Sequence, residues 1–364
     1  MKKLHWYILK KFLSTFFFSI LLFTIIAVVI DVSEKTDDFV KSGLGFTDIV
    51  TKYYFGFVPF IAAMLFPLFV FIAVIFFTSK MAGRSEIVAI LASGTSFNRM
   101  LFPYWVGGIF LSLLLLFASN FVIPKANEIR TGFEAKYIKV NSTYDPLIEN
   151  NNRSIYFRVD SFTYAGLRNY DTAAKTGGPF FMHRVKNNIL TYNLRAENIH
   201  WDTAKHKWTL QNIIQRNING LKETVSLEKE KTMNFNFQPF DLSRDEYAKD
   251  KLTTPELNHY IALEETRGAE DINTLKIEQY RRYATPVAVL ILTIIGAVVA
   301  SRKVRGGSGA HLAIGFITAA VFILMDRFST IFSTKGNFPP MIAAWLPDVI
   351  FSFVAIYLYR KSPK

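Results

Sequence analysis

Residues 80–100, KMAGRSEIVAILASGTSFNRM, form a short polar interlude between two long apolar runs at residues 54–79 and 101–123. Each run exceeds the roughly 20 residues that a helix needs to cross a bilayer. A membrane protein needs only a few loop residues to turn between two spans, and this link is far longer. The interlude therefore indicates a structured connection with a role of its own.

The sequence predicts one or two helical turns over residues 85–93, because three apolar residues share one helical face. They are Ile87, Ile90 and Leu91. Ser85 is placed to cap the start of this helix, Glu86 to lie near its positive end, and Gly94 to adopt a left-handed conformation at its end. One acid among bases indicates a surface offered to a partner, although a helix lying on the bilayer has the same pattern.

Composition and its distribution place the chain among membrane proteins. The 364 residues are 51% hydrophobic, include 35 phenylalanines and contain no cysteine. The long apolar runs cluster at the two ends of the chain, and the middle is polar. Without cysteine, neither disulfides nor thiolate metal sites are expected, and no metal or cofactor site is predicted.

Six apolar runs predict six transmembrane helices, three on each side of the polar middle. They are residues 12–30, 54–79, 101–123, 283–300, 310–331 and 341–359. The first run, with its basic flank, also resembles a signal peptide. It is longer than the usual 7–15-residue apolar region of such a peptide, and no small-residue cleavage site follows, which favours a membrane span.

The expected domains are an N-terminal membrane half at residues 1–123, an insert at 124–282 and a C-terminal membrane half at 283–364. The insert is large enough for its own core, and its short strands predict a β-sandwich or β-jelly roll. The expected strands are residues 154–162, 190–201 and 207–218, with a turn at 202–206 and helices at 255–268 and 271–282.

Basic residues predict the orientation of the chain. With both termini in the cytoplasm, the cytoplasmic segments contain a single acid, Glu86, and many bases, as the positive-inside rule requires. Those bases are Lys2, Lys3, Lys10, Lys11, Lys80, Arg84, Arg99, Arg302, Lys303, Arg305, Arg360, Lys361 and Lys364. The insert then faces the other side of the membrane. The net charge of +13 is explained by this topology and by anionic lipid, so no nucleic-acid partner is expected.

No enzyme is predicted, because nucleotide-binding, metalloprotease and serine-hydrolase motifs are absent from the sequence. Charge within the predicted spans is sparse. Asp326 and Arg327 are adjacent in the fifth span, so they point about 100° apart on a helix. Exposing both side chains to lipid would carry a large free-energy cost. One interpretation is a polar cavity wall, and the alternative is that both extend to the membrane interface.

The order of these segments resembles that of a known family. Three spans, a large β insert and three more spans are the plan of the lipopolysaccharide export permeases, the LptF/LptG (YjgP/YjgQ) family. The closest local matches are GRSEIVAILASG at residues 83–94, the D-x-x-E-x-x-D-x-F pattern at 31–39 followed by KSGLG, and the proline pattern at 339–347. The resemblance covers essentially the whole chain and is closer to the LptG branch.

The resemblance implies a permease subunit of an ABC transporter in the bacterial inner membrane. Such a permease forms a heterodimer with a sister subunit and is driven by a dimer of a cytoplasmic ATPase. Residues 83–94 match the helix that docks on that ATPase. The implied coupling residues are Gly83, Arg84, Ser85, Glu86, Ile87 and Gly94.

The resemblance also implies a route for lipopolysaccharide. The first and fifth spans match the helices of a lateral gate, and the insert matches a periplasmic β-jelly roll that passes the lipid to a bridge protein and its membrane-anchored adaptor. Lys41 matches a basic position that contacts lipid phosphates. A second basic position of the family falls on Glu34 here, with Lys35 beside it. Lys35, Lys41, Asp326 and Arg327 are the candidate lipid-binding or gate residues.

Other functions remain open at the level of sequence. A membrane scaffold with a periplasmic binding domain would need no ATPase, so a pull-down of that partner separates the two. The permease of a different ABC exporter, for lipoproteins or other lipids, would usually place its large external domain after the first span rather than the third. A secondary transporter would need paired polar residues at mid-depth in both membrane halves.

Overall fold

A computed structural model describes residues 3–138, 155–171, 174–203, 205–235, 237–242, 248–267, 272–302 and 308–362. Most of the predicted basic loop at residues 301–309, including Lys303 and Arg305, lies outside these ranges, as do Lys2 and Lys364. The chain divides into two compact units. The first comprises Met1–Ile138, Lys249–Asn258 and Asn273–Lys364, and the second comprises Lys139–Ala248 and His259–Ile272.

Ten helices occur in the described part of the chain. In order they are α1 (Lys3–Lys41), α2 (Phe46–Gly83, with a π-helical turn at Val50–Tyr54), α3 (Glu86–Ala92), α4 (Phe97–Ile138, with π-helical turns at Ala118–Val122 and Glu134–Ile138), α5 (Pro239–Leu242), α6 (Ala248–Lys251), α7 (Thr254–Arg267), α8 (Ile272–Ala300), α9 (Ser308–Gly336) and α10 (Pro340–Arg360). Six of them, namely α1, α2, α4, α8, α9 and α10, are long and apolar enough to cross a membrane. The predicted 3+3 arrangement of spans is confirmed.

Several helices are much longer than the apolar runs that predict them. The 39 residues of α1 correspond to about 58 Å, roughly twice the thickness of a hydrocarbon core. The polar segment at residues 31–52, between the first two apolar runs, is therefore largely helical rather than a loop, with a break only between Lys41 and Phe46. An apolar run marks only the part of a helix that lies in lipid. The helix itself can extend beyond that part, because its polar side chains there contact water or other residues.

The same effect changes where the membrane unit ends. Helix α4 continues past residue 124, the expected start of the insert, and α8 joins the predicted helix at 271–282 to the fourth span without a break. Residues 124–138, 249–258 and 273–282 belong to the membrane unit. The compact units thus differ from the expected domain boundaries by a helical extension on each side of the insert.

Large aromatic residues fill the core of the membrane unit. Phe12 and Phe16 of α1 pack against Phe66 and Phe69 of α2 and against Tyr104 of α4. Gly107 is required where α4 crosses α1, because a Cβ there would lie 2.6 Å from the Phe12 ring. These contacts hold one side of α1 and leave its other side exposed.

The second unit contains a seven-stranded antiparallel sheet, which confirms the inserted β domain. Its strands are β1 (Ile155–Asp160), β2 (Thr163–Leu167), β3 (Thr176–Gly177), β4 (Phe180–Lys186), β5 (Ile189–Asp202), β6 (Lys207–Asn219) and β7 (Lys222–Met233). The sheet order is β1-β2-β4-β5-β6-β7, with β3 beside β5. Apart from this short strand, sequence neighbours are sheet neighbours. The described strands therefore run up and down, without the crossovers that a jelly roll uses.

One face of this sheet carries the core of the second unit. Trp201 lies opposite Trp208 across the predicted β5–β6 hairpin, and Trp208 is fully buried. Its indole Nε1 donates a 2.9 Å hydrogen bond to the Phe237 carbonyl oxygen. Because a buried indole nitrogen needs an acceptor, this bond ties the segment after β7 to the core.

Candidate functional site

The predicted helix between the second and third spans is α3, and backbone hydrogen bonds define both of its ends. The Arg84 and Ser85 nitrogens donate to the Lys80 and Ala82 carbonyl oxygens at 3.1 and 3.0 Å, which closes the last turn of α2. Ser85 has a φ of 62° and makes no side-chain capping bond, so its expected capping role is wrong. Glu86 begins the helix as expected.

Gly94 ends this segment in the predicted conformation. Its φ is +79°, and its nitrogen donates to the Leu91 carbonyl oxygen at 3.0 Å. A Cβ there would meet no heavy atom within 4 Å, so glycine is needed for its backbone angle rather than for space. The turn leaves the surface around Gly94 open.

The two faces of α3 have different environments. Ile87 is 2% exposed and packs into the membrane-unit core, with Ile90 and Leu91 partly buried against it. Val88 is 54% exposed, and Ala89 and Ala92 are exposed beside it. The face available to a partner is therefore small and apolar. Ile87, a predicted coupling residue, lies on the opposite face.

Gly83 and Arg84 are exposed next to this face, and Glu86 is half-buried. The Tyr7 hydroxyl of α1 lies 3.4 Å from Glu86 Oε2. This contact places the start of α1 beside the start of α3. We call this side of the membrane unit the α3 end.

Other polar segments meet at the α3 end. The Tyr359 hydroxyl of α10 donates to the Asn98 side-chain oxygen of α4, and the Arg302 guanidinium donates to the Lys361 carbonyl oxygen at 2.6 Å. The N-terminus, the 80–100 segment, the end of α8 and the end of α10 thus share one end of the bundle. These are the segments in which the sequence concentrates its bases.

At the opposite end, a charged network joins α1, α2 and α4. Asp31 is 7% exposed, and its carboxylate accepts hydrogen bonds from the Tyr53 and Tyr54 hydroxyls at 3.0 and 3.1 Å. Lys35 Nζ lies 3.0 Å from Asp31 and 3.2 Å from Glu134. Glu134 also accepts from Arg130, at 3.1 Å.

This network separates the two candidate lysines. The Lys35 amine is shared by two carboxylates and the Tyr53 hydroxyl, so its charge is already compensated. Lys41 is exposed in the last turn of α1 and has no side-chain partner among the described residues. Of the two, Lys41 is the amine available to an external phosphate.

The candidates Asp326 and Arg327 border a cavity of about 510 Å³ in the membrane unit. Asp326 accepts a 2.8 Å bond from Arg281 of α8, whereas Arg327 is exposed and unpaired within the described ranges. Both side chains line this cavity, as the cavity-wall interpretation expects. Helices α2, α4, α6, α8, α9 and α10 contribute to its wall.

Sequence reasoning missed the roles of Arg281 and Arg282, which lie in the first half of α8, just before its apolar part. Arg282 is 4% exposed and donates to the Lys249 and Leu252 carbonyl oxygens at 3.0 and 2.8 Å and to the Thr254 hydroxyl at 3.0 Å. The adjacent arginines next to an apolar run were the available signal, but the expected domain boundary assigned them to the insert. In the structure they anchor the returning chain to the membrane unit.

Comparison with known proteins agrees with this architecture. The model of the lipopolysaccharide export system permease LptF/LptG family matches residues 6–361. Among curated proteins, the lipopolysaccharide export system permease protein LptG of Escherichia coli strain K12 is 20% identical over 362 residues, covering 98% of this chain and 99% of the relative. LptG of E. coli O6:H1 strain CFT073 matches to the same extent. The chain therefore belongs to the LptF/LptG family of lipopolysaccharide export system permeases.

Proposed function

We propose that this chain is the LptG-type permease subunit of an ABC transporter that extracts lipopolysaccharide from the outer leaflet of the inner membrane. The energy comes from a dimer of a cytoplasmic ATPase, because the sequence contains no nucleotide-binding motif of its own. The β domain passes the lipid to a periplasmic bridge protein and its membrane-anchored adaptor. A sister permease completes the membrane part as a heterodimer.

The observation that carries this proposal is the exposed face of α3 at the basic end of the bundle. Val88, Ala89 and Ala92 form a shallow apolar strip, and Glu86 is the only acid in residues 80–100. An apolar helix face fits a groove in a partner, and a lone carboxylate selects a basic group there. Because Ile87 fixes α3 to the bundle core, a push on α3 reaches the membrane helices directly.

The lipid path is proposed along α1 and α9, the first and fifth spans. Both helices expose long apolar faces, with Phe18 and Val29 on α1 and Ile317 on α9 more than half exposed. Bulky apolar side chains suit acyl chains. Lys41 and Arg327 are bases on these helices that have no ion pair among the described residues and that suit phosphates. The same faces provide the contact with the sister subunit.

The test is the variant Glu86→Lys. We expect it to insert normally and retain the sister permease, and to lose copurifying ATPase by more than about tenfold, as for reversal of a charge at an interface. Glu128→Lys is the matched control, since Glu128 is an exposed acid on α4 far along that helix from the α3 end. ATPase yield and lipopolysaccharide export at wild-type levels in Glu86→Lys would remove Glu86 from the mechanism.

A further inference from the structure

The cavity of the membrane unit contains two buried acceptors that the proposed export function does not use. Asp348 of α10 is 4% exposed, and no donor among the described residues lies within hydrogen-bond or ion-pair distance of its carboxylate. Asn127 of α4 is also 4% exposed. Its Nδ2 donates to the Asp250 carbonyl oxygen at 3.1 Å, but its Oδ1 has no partner. Both residues line the cavity.

Such acceptors are costly inside a membrane protein. A buried oxygen without a donor loses the hydrogen bonds that it makes in water, and an unpaired carboxylate loses more. Ionisable residues in a spanning helix therefore usually have a partner or mark a binding site. Here the missing partner is a group that donates hydrogen bonds and carries positive charge.

The same cavity also has an unpaired cation. Arg327 of α9 is exposed, and it has no ion pair in the described part of the chain. Its neighbour Asp326 is already bonded to Arg281 at 2.8 Å. Asp348 and Arg327 therefore present an acid and a base to one cavity without pairing with each other. A ligand with a cationic and an anionic group would satisfy both.

The wall of the cavity indicates how such a ligand enters. Its exposed members, among the described residues, lie on α2 and α9: Met64 at 50%, Ile323 at 42%, and Arg327. Because these positions lie on membrane-spanning helices, the opening faces lipid. Leu68, Leu115 and Phe322 continue the wall inward. The wall combines apolar and charged side chains, and a volume of about 510 Å³ is in the size range of a small-ligand pocket.

We propose that this cavity binds a glycerophospholipid whose headgroup carries a primary ammonium next to its phosphate. The ammonium donates to the Asp348 carboxylate, with Asn127 Oδ1 as a further acceptor, and the phosphate accepts from the Arg327 guanidinium. One acyl chain lies along the apolar wall. This lipid is a resident ligand of a single subunit, and the assignment does not depend on the export activity proposed above.

The experiment is native mass spectrometry of the purified full-length protein, with its copurifying subunits, after addition of defined lipids. Wild-type protein is expected to retain phosphatidylethanolamine about tenfold more than phosphatidylglycerol, which lacks the ammonium. Asp348→Asn should abolish this preference. Arg327→Gln should lower retention of both lipids. Asp37→Asn, at an exposed carboxylate of α1, is the matched control and should behave as wild type.

A second measurement uses only the wild-type protein, so its result does not depend on whether Asp348→Asn folds. Phosphatidylcholine has no ammonium hydrogen to donate, so its retention should fall well below that of phosphatidylethanolamine. Equal retention of all three lipids by wild type, or an unchanged preference in a folded Asp348→Asn protein, would overturn the proposal. Occupancy of the site by a phosphorylated saccharolipid instead of a glycerophospholipid would also overturn it.

Discussion

Lys35 and Lys41 lie on the same helix, yet their amines have opposite surroundings. Lys35 Nζ lies within 3.2 Å of two carboxylates, whereas Lys41 is exposed without a side-chain partner among the described residues. A base beside a family phosphate position can therefore still be unavailable to a ligand. The nearby acids decide this, not the residue type.

Lys35→Met is expected to destabilise the protein. The variant keeps the aliphatic stem but leaves the half-buried Glu134 and the buried Asp31 short of one cation, which should lower the free energy of unfolding by about 1–3 kcal/mol. Lys41→Met is the control and should change it by less than about 0.5 kcal/mol. Thermal unfolding in detergent measures both variants. Equal changes in the free energy of unfolding would show that the ion pairs of Lys35 contribute nothing to stability.

Lys41→Glu is expected to weaken contact with lipopolysaccharide. The change replaces an attraction for phosphate with a repulsion at the exposed end of α1. A photocrosslinker placed at Ser42 reports the contact, because this residue follows Lys41 directly. Undiminished crosslinking would identify Lys41 as an ordinary solvated lysine.

Asp250, in the short helix α6, is expected to make stability depend on pH. Burial, followed by the nearby Glu278 carboxylate, raises the pKa of Asp250 from 3.8 to about 6. The folded state thus holds this proton more tightly than the unfolded state, so the stability contribution is greatest at low pH and falls as the pH rises from about 4 to 6.

Asp250→Asn removes this titration. Above pH 6 the variant should be more stable than wild type by about 1–3 kcal/mol, an upper limit set by the size of the pKa shift. The backbone oxygen that accepts from Asn127 is unaffected. Unfolding midpoints measured from pH 4 to pH 8 check this, and parallel curves for the two proteins would contradict it.

Among the elements, the short helix α3 has one face buried in the bundle and one face open to a partner. Its buried side joins the bundle core through Ile87, and its open side is built from Val88, Ala89 and Ala92. An apolar pattern in a short helix predicts that a face is buried, but not against what. Here that face is buried against its own bundle, and the small residues remain for a partner.

Ile87→Ala and Val88→Ala should therefore have different effects. Ile87→Ala leaves a cavity in the core and should lower the free energy of unfolding by about 2–4 kcal/mol. Val88→Ala should leave stability unchanged and weaken copurification of the ATPase. Thermal unfolding and pull-down yields, measured on both variants, separate the two roles. Equal destabilisation by both variants would show that α3 has no free face.

In the whole molecule, the α3 end and the β domain are expected on opposite sides of the membrane. The chain has no cysteine, so Arg84→Cys and Lys222→Cys each introduce a single thiol at an exposed position. A membrane-impermeant maleimide, added to intact spheroplasts, should label only the Lys222→Cys protein. Labelling of both or of neither would reject the proposed topology, and detergent-treated membranes provide the control for reactivity.

Much of the fold follows from local pattern. Apolar run length predicts the six spans, and the alternation at residues 190–201 and 207–218 predicts the β5–β6 hairpin. Helix ends are predicted less well. Asp31 and Lys35 look like loop residues in the sequence, yet they lie within α1 because α2 and α4 supply their partners. The sequence does not predict the strands β2, β3, β4 and β7, because they are short or alternate less clearly.

The sequence by itself determined that the chain crosses a membrane six times, carries a β insert after the third span, and collects its bases at one end of the bundle. These properties depend only on run length and charge, which each segment has before it folds. Only the tertiary structure decided which charges are available. Lys35 meets Glu134, Asp326 meets Arg281, and Arg282 meets the carbonyl oxygens of residues 249 and 252. These pairs join helices distant in sequence, so packing alone brings them within hydrogen-bond distance and leaves Lys41, Arg327 and Asp348 without such partners among the described residues.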